Sequence, residues 1–467
     1  MNRYSQVFLS PSGGLSAAET YRSRRSSLLQ RLDSVGVFAG VFREPGTEEV
    51  FASTWTRFVQ DPAFLFLTGV NQADCKLLLN PFAENPGERE VLFLPPKDAN
   101  REFWTGAKLA CSEDCIGEMR RLTGFETILP VDRFWDYLAE TVARFRLESI
   151  EAFYLDFLSD GRKKSVSDDH NAMFARELKR RFEPRTEIRS LAEKHFSLRV
   201  ILDEARIRDV RRAEDVSRKA FVELLENLGT LKTERAAGLF LDYRMQARSD
   251  GDLAFPTIVA CGENACCLHY VKKDEPLKTG KLLLLDFGVR MGTQHSDISR
   301  TVPVGGRFNP LQRLLYSVVL DAQKFHRENV APGKTLAELD MLVWNFISDA
   351  LERRFVSRGG KFRLLYDKRP HGVSHLIGEQ IHEGDPFRLY AQRPLEPGML
   401  ISNEPGLYGR FEIEIENVRY AENIGIRIEN DLLVTESGAE DLSADIPREI
   451  DEIEKLLSQK AIFVKSK

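Results

Sequence analysis

The chain has 467 residues, 42% hydrophobic and 29% charged, with a formal net charge of −5. Such values fit a globular chain with a sizeable core and two or three domains, and they leave no electrostatic footprint for nucleic acid or an anionic membrane. No apolar run approaches the roughly 20 residues of a spanning helix. The opening residues lack the apolar centre of a signal peptide, and six scattered cysteines are expected as reduced thiols, so the expected address is the cytoplasm.

Residues 1–20 read as a flexible lead-in. "YRSRRSSLLQRL" then has the apolar period of an amphipathic helix, and "VGVFAGVF" that of a buried strand. "PAFLFLTGV", "CKLLLN" and "EVLFLPP" are short apolar runs bounded by Gly, Pro and Asn, which predicts strands. "FWDYLAETVARF" and "NAMFARELKRRF" predict helices, with the polar "GRKKSVSDDHN" before the second as a surface loop. Residues 21–194 therefore read as an α/β domain without a catalytic constellation. From residue 195 the composition shifts to a long charged amphipathic segment, "LRVILDEARIRDVRRAEDVSRKAFVELLENL". The mixed strands and helices of 195–450 point to an α+β domain, and 451–467 to a tail.

Within that second half, "KLLLLDFGVRMGTQHSDISRT" drives Asp286 and Asp297 into a buried strand environment. A hairpin turning at Met291-Gly292 would set the two directly opposite, with Cβ atoms about 4.5–5.5 Å apart. Two bare carboxylates that close repel unless one is protonated or cations lie between them. An internal echo favours cations. "PLKTGKLLLLDFG" recurs as "PLEPGMLISNEPG", so Glu404 takes the place of Asp286. Asp297 likewise has a counterpart in Glu429 of "IGIRIENDLLVTESG".

Between the copies stands "HGVSHLIGEQIHEG", with His371, His375 and His382. Four carboxylates and an imidazole balance two divalent cations, which shared carboxylates can hold about 3.5–4 Å apart. An oxygen-rich set favours a hard ion such as Mn²⁺. Arg427 shares a strand face with Glu429 and is placed to orient a ligand carboxylate. The alternating Glu412, Glu414 and Glu416 read instead as a solvated face, and His326 as a helix-surface residue.

The ordered motifs "LLLLDFG…SDISRT", "HGVSH…IHE", "LEPGMLISNEPGLY" and "GIRIENDLLVTESG" closely resemble the aminopeptidase P and prolidase group of pita-bread metallopeptidases. "RRSSLLQRL…FLFLTGVNQADCKLLL" resembles the N-terminal α/β domain of aminopeptidase P, so the likeness spans nearly the whole chain. It implies a C-terminal pita-bread catalytic domain in which Asp286 binds one metal, Asp297 and Glu429 bridge both, and His375 and Glu404 complete the second site. It further implies a metal-bridging hydroxide as nucleophile, Glu404 as general base, and His269 and His382 as stabilisers or proton donors. His371 would contact the proline-side residue. The implied reaction is hydrolysis of an Xaa-Pro bond in peptides with proline second. The short interval from Glu404 to Glu429 resembles aminopeptidase P more than the dipeptidase prolidase, and a non-catalytic binding relative is the remaining alternative. A homo-oligomer, dimer or tetramer, is implied by resemblance alone. His295 before "SD" and Glu383 after His382 depart from the family pattern.

Overall fold

The computed structural model describes residues 3–11, 16–41, 58, 60–154, 170–249, 252–367, 369–383 and 390–458. These form two compact units, Met1–Arg199 and Val200–Lys467.

In the first unit a six-stranded mixed sheet runs in the order β4-β3-β2-β1-β5-β6. The strands are β1 (Val35–Ala39), β2 (Lys76–Leu79), β3 (Glu90–Leu94), β4 (Thr127–Pro130), β5 (Ser149–Ala152) and β6 (Glu187–Ser190). Val37, Leu78, Phe93 and Ile150 are buried against Phe134, Leu138, Phe174 and Leu178 of the helices Phe134–Phe145 and His170–Phe182. "PAFLFLTGV" is not a strand but the helix Pro62–Thr68. Asp61 caps it by accepting from the Phe64 N–H, Pro62 preorganises its first turn, and Gly69 ends it at φ 68°. Capping chemistry thus overrides an apolar run too short to show a period. The described part of the lead-in is anchored, since Tyr4, Val7 and Phe8 are buried and Phe8 pairs with Val70. The helix Ala17–Leu29 begins inside it, capped by Ser16 and Glu19. His195 belongs to the helix Ala192–Arg199, so the division falls a few residues past the composition change. Gly161–Asp169 of the expected polar loop lie outside the described residues.

The second unit repeats a plan. A helix pair, Glu204–Asn227 and Glu234–Gln246, precedes β7 (Asp252–Leu253), β8 (Ile258–Cys261) and β9 (Leu282–Phe287). Then come β10 (Val289–Met291), β11 (Gln294–His295) and β12 (Ile298–Pro303). A second helix pair, Pro310–Asn329 and Leu336–Arg354, precedes β13 (Lys361–Leu364) and β14 (Leu400–Asn403). It is followed by β15 (Gly406–Ile415), β16 (Val418–Arg427), β17 (Asn430–Val434) and β18 (Ala439–Asp441). The second helix of each pair is capped by a threonine, Thr233 or Thr335, and each cap bridges to the proline opening an echoed segment, Pro276 or Pro394. In both copies an antiparallel pair follows: β9 with β12, and β14 with β17. The echo in the sequence is therefore an echo in three dimensions. The helix Ile450–Ser458, with Ile453 buried in the core, occupies the start of the expected tail.

The hairpin register differs from expectation. Arg290 pairs with His295 and Met291 with Gln294, so the turn is Gly292-Thr293, and Asp286 lies opposite Ser299 rather than Asp297. The ladder is interrupted at Gly288, where a Cβ would sit 1.9 Å from the carbonyl oxygen of Ser296. Only glycine permits that approach. In the second copy the β14–β17 and β15–β16 ladders run from Leu400↔Leu433 to Asn403↔Asn430 and from Gly406↔Arg427 to Ile415↔Val418, and Glu404 and Glu429 fall in the unpaired residues between them.

Candidate metal centre

Despite the shifted register, the acids converge. Asp286 is the penultimate residue of β9 and Asp297 precedes β12. Glu429 lies between β16 and β17, with its N–H donated to the Ser299 carbonyl at 3.0 Å. One ligand atom each of Asp286, Asp297 and Glu429 fall within 4.8 Å of one another, and the same holds for His375, Glu404 and Glu429. Glu429 is common to both groups. His375 Nε2 lies 3.5 Å from Asp297 Oδ2 and 3.5 Å from Glu404 Oε1. Its Nδ1 faces the carbonyl of Leu376 at 3.1 Å, so Nδ1 carries the hydrogen and the Nε2 lone pair points at the acids.

Electrostatics make the cluster unstable without positive charge. Burial, then Asp286, pushes the Asp297 carboxyl well above its ordinary range. Burial, then Glu429, does the same to Glu404, and burial with both aspartates to Glu429. Arg427 donates to Asp286 and, through Nε, to Ser299 Oγ at 2.7 Å. Ser299 in turn donates to Glu429 at 2.8 Å. One guanidinium cannot neutralise four carboxylates, and Asp286 Oδ1 is buried with no hydrogen-bond partner among the described residues. Anionic oxygens around one lone-pair nitrogen suit two divalent cations.

His382 is exposed, with its ring 4.2 Å from that of His375, and it groups with Asp297 and His375 within 4.8 Å. His371 Nε2 meets the Tyr408 hydroxyl at 3.1 Å, and its Nδ1 lies 3.7 Å from Glu404 Oε2. Burial and the nearby Arg427 lower His371 to about 4, so it is neutral at ordinary pH. His269 is exposed, close enough to His371 for the two to repel when charged. His295 is buried, with Nδ1 2.9 Å from the Gly378 carbonyl, which excludes a surface role. Glu383 is buried and accepts the Gln380 N–H at 3.3 Å.

Several residues escaped the sequence reading. His326 is not on the surface: it is fully buried, with Nε2 3.0 Å from Ser374 Oγ, next to His375. Tyr408 links His371 to Arg427 and closes an aromatic ring with Tyr366, Trp344 and His371, centroids 5.7–6.5 Å apart. Ser299 and Tyr408 sit inside the motifs already quoted. Trp344 has no such signal, because its position depends on how the helix Leu336–Arg354 packs.

The sequence profile of metallopeptidase family M24 matches residues 208–436, and that of the aminopeptidase P N-terminal domain matches 21–148. Xaa-Pro aminopeptidase 3 of Mus musculus is 30% identical over 86% of this chain and 77% of its own length. The Xaa-Pro aminopeptidase of Haemophilus influenzae is 28% identical over 86% of this chain and 89% of its own. The solved structure of Pseudomonas aeruginosa aminopeptidase PepP superposes with a TM-score of 0.76 at 26% identity, covering 94% of this chain and 98% of that one. This chain belongs to the aminopeptidase P group of M24 metallopeptidases.

Proposed function

We infer that this protein is a metal-dependent Xaa-Pro aminopeptidase, hydrolysing the bond between an N-terminal residue and a following proline. The observation that carries the reading is the convergence of Asp286, Asp297, His375, Glu404 and Glu429 from two echoed halves onto overlapping ligand groups. Residues in those positions would hold two divalent ions, which when bound supply a water acidic enough to react at neutral pH.

The remaining roles fall to the chain itself. Glu404, whose carboxyl is raised by burial and Glu429, suits a group that takes a proton and returns it. An Xaa-Pro nitrogen has no hydrogen of its own, so the leaving proline depends on that delivery. Neutral His371, ringed by Trp344, Tyr366 and Tyr408, offers an aromatic seat for a proline ring. His382 and His269 are assigned to stabilising charge on the attacked carbonyl. Arg427 orients Asp286 and, through Ser299, Glu429.

Manganese is proposed from the oxygen-rich ligand set. A cytoplasmic address is proposed from six cysteines that are all free thiols, and no described helix is long and apolar enough to cross a membrane. A dimer or tetramer is proposed from the family likeness. The test loads purified protein with Mn²⁺ and compares an Arg-Pro-Pro tripeptide with Xaa-Pro dipeptides. Release of the N-terminal residue from the tripeptide is expected; turnover confined to dipeptides would replace this reading with a prolidase.

A further inference from the structure

Beside the aromatic seat lies a carboxylate that the chemistry above does not use. Asp340 belongs to the helix Leu336–Arg354, one turn before Trp344, and is buried. Its Oδ1 accepts the Trp344 indole N–H at 3.0 Å and the backbone N–H of Val373 at 3.0 Å. Its Oδ2 is paired with the half-exposed guanidinium of Arg369. One carboxylate thus gathers a ring from the helix and two points of the segment that carries His371 and His375.

Val373 stands midway between those two histidines. Its N–H goes to Asp340, and its carbonyl accepts the Glu404 N–H at 2.9 Å. His375 is fastened separately: its N–H is donated to Ser402 Oγ at 3.0 Å, and its carbonyl accepts the Ser402 N–H at 2.9 Å. The proposed metal ligand therefore keeps its own attachments, and what depends on Asp340 is the junction between Trp344 and the chain beside His371. The Trp344 ring makes T-shaped contacts with His371 at 5.8 Å and with Tyr366 at 6.0 Å. A phenyl ring would serve for packing alone. The indole N–H adds a fixed rotation, because a part-buried donor stays on its acceptor.

We propose that Asp340 is a positioning residue for the proline subsite: by joining the Trp344 indole to the Val373 backbone, it fixes the ring against His371 and so sets affinity for the residue after the scissile bond. This rests on the reading of His371 and its aromatic neighbours as the proline seat. The partners of Asp340 include neither a proposed metal ligand nor a proposed proton carrier. Its loss should therefore weaken binding and leave the chemical step largely intact.

The experiment uses full-length, Mn²⁺-loaded protein, with Arg-Pro-Ala as substrate, its product Pro-Ala as competitive inhibitor, and Ala-Ala as the control without the ring. Asp340→Leu should raise KM for Arg-Pro-Ala and Ki for Pro-Ala together by about 10-fold, with kcat and calorimetric Mn²⁺ affinity within about threefold of wild type. Asp340→Asn keeps an acceptor oxygen for both N–H groups and should bring KM and Ki back to within about threefold of wild type. Trp344→Phe keeps a ring and removes its N–H, so it should raise Ki by itself. Adding Asp340→Leu to it should then raise Ki by less than in the wild-type background. Wild-type KM and Ki in a folded Asp340→Leu overturn the proposal, as do equal losses in the two Asp340 variants or a loss of Mn²⁺ affinity beside an unchanged Ki. Should Asp340→Leu not fold, an unchanged Ki in Trp344→Phe overturns it, and a raised one with Asp340→Asn near wild type supports it. Wild type that leaves Arg-Pro-Ala intact, or that Pro-Ala inhibits no better than Ala-Ala, overturns the Xaa-Pro reading itself, and this role with it.

Discussion

Replacing Arg427 with methionine keeps most of the aliphatic volume but removes the guanidinium shared by Asp286, Ser299 and Tyr408. Asp286 is then left buried with neither oxygen neutralised, since Oδ1 has no partner among the described residues even in the intact protein. Breaking one side of a buried ion pair costs about 3–5 kcal/mol. For a unit the size of Val200–Lys467 each kcal/mol moves Tm by roughly 2 °C, so the metal-free variant should melt about 6–10 °C lower. Saturating Mn²⁺ should narrow that gap, because a cation beside Asp286 replaces the missing charge and adds its own linkage, about 2.7 kcal/mol at one hundred times Kd. The assay is thermal melting of wild type and Arg427→Met, each with chelator and with Mn²⁺. A metal-free cost under about 1 kcal/mol, or a gap that Mn²⁺ leaves untouched, would refute the reasoning.

Asp297→Ala should abolish tripeptide turnover and metal retention together; elemental analysis finding two ions still bound would contradict its bridging position. Gly288→Ala forces a Cβ to within 1.9 Å of the Ser296 carbonyl oxygen, so denaturant unfolding should show a loss of about 3 kcal/mol or more and a weakened metal site. His326 is held near pKa 4 by burial, against an ordinary 6.5. The unfolded chain takes up the proton first, so this contribution is complete above about pH 6.5 and is lost as pH falls toward 4, by at most about 1.4 kcal/mol per unit. In urea titrations across that window His326→Leu should show a shallower slope than wild type by about 1 kcal/mol per pH unit, and parallel slopes would count against a neutral buried imidazole.

The acids of the candidate centre were legible because a duplicated segment writes its symmetry into the chain. A carboxylate at a strand end means little once, but Asp286 and Glu404 share an offset from matched prolines. The pairing of Asp286 with Asp297 was misjudged because the turn position cannot be read from "RMGTQH", and a slip of one residue changes every partner. Convergence survived because Asp297 and Ser299 lie two apart, on the face that Asp286 shares. Residues that line the site from distant elements, such as His326 and Trp344, were hidden. Each lies on a helix whose facing depends on packing that no local pattern encodes. Pro62–Thr68 was missed for the opposite reason: its caps were visible, but its apolar run matched a strand as well as a helix.

The matching of Thr233–Pro276 by Thr335–Pro394 has a last consequence. The architectural copies are near twins, yet the donors they offer have diverged in reach and charge. One copy contributes two short aspartates, with a guanidinium pressed against the first; the other contributes two longer glutamates and an imidazole. Two cations held by these unlike donor sets would bind with unequal affinity. The cation at the guanidinium end should be the later to arrive and the earlier to leave, so that gradual chelation would strip the pair in order.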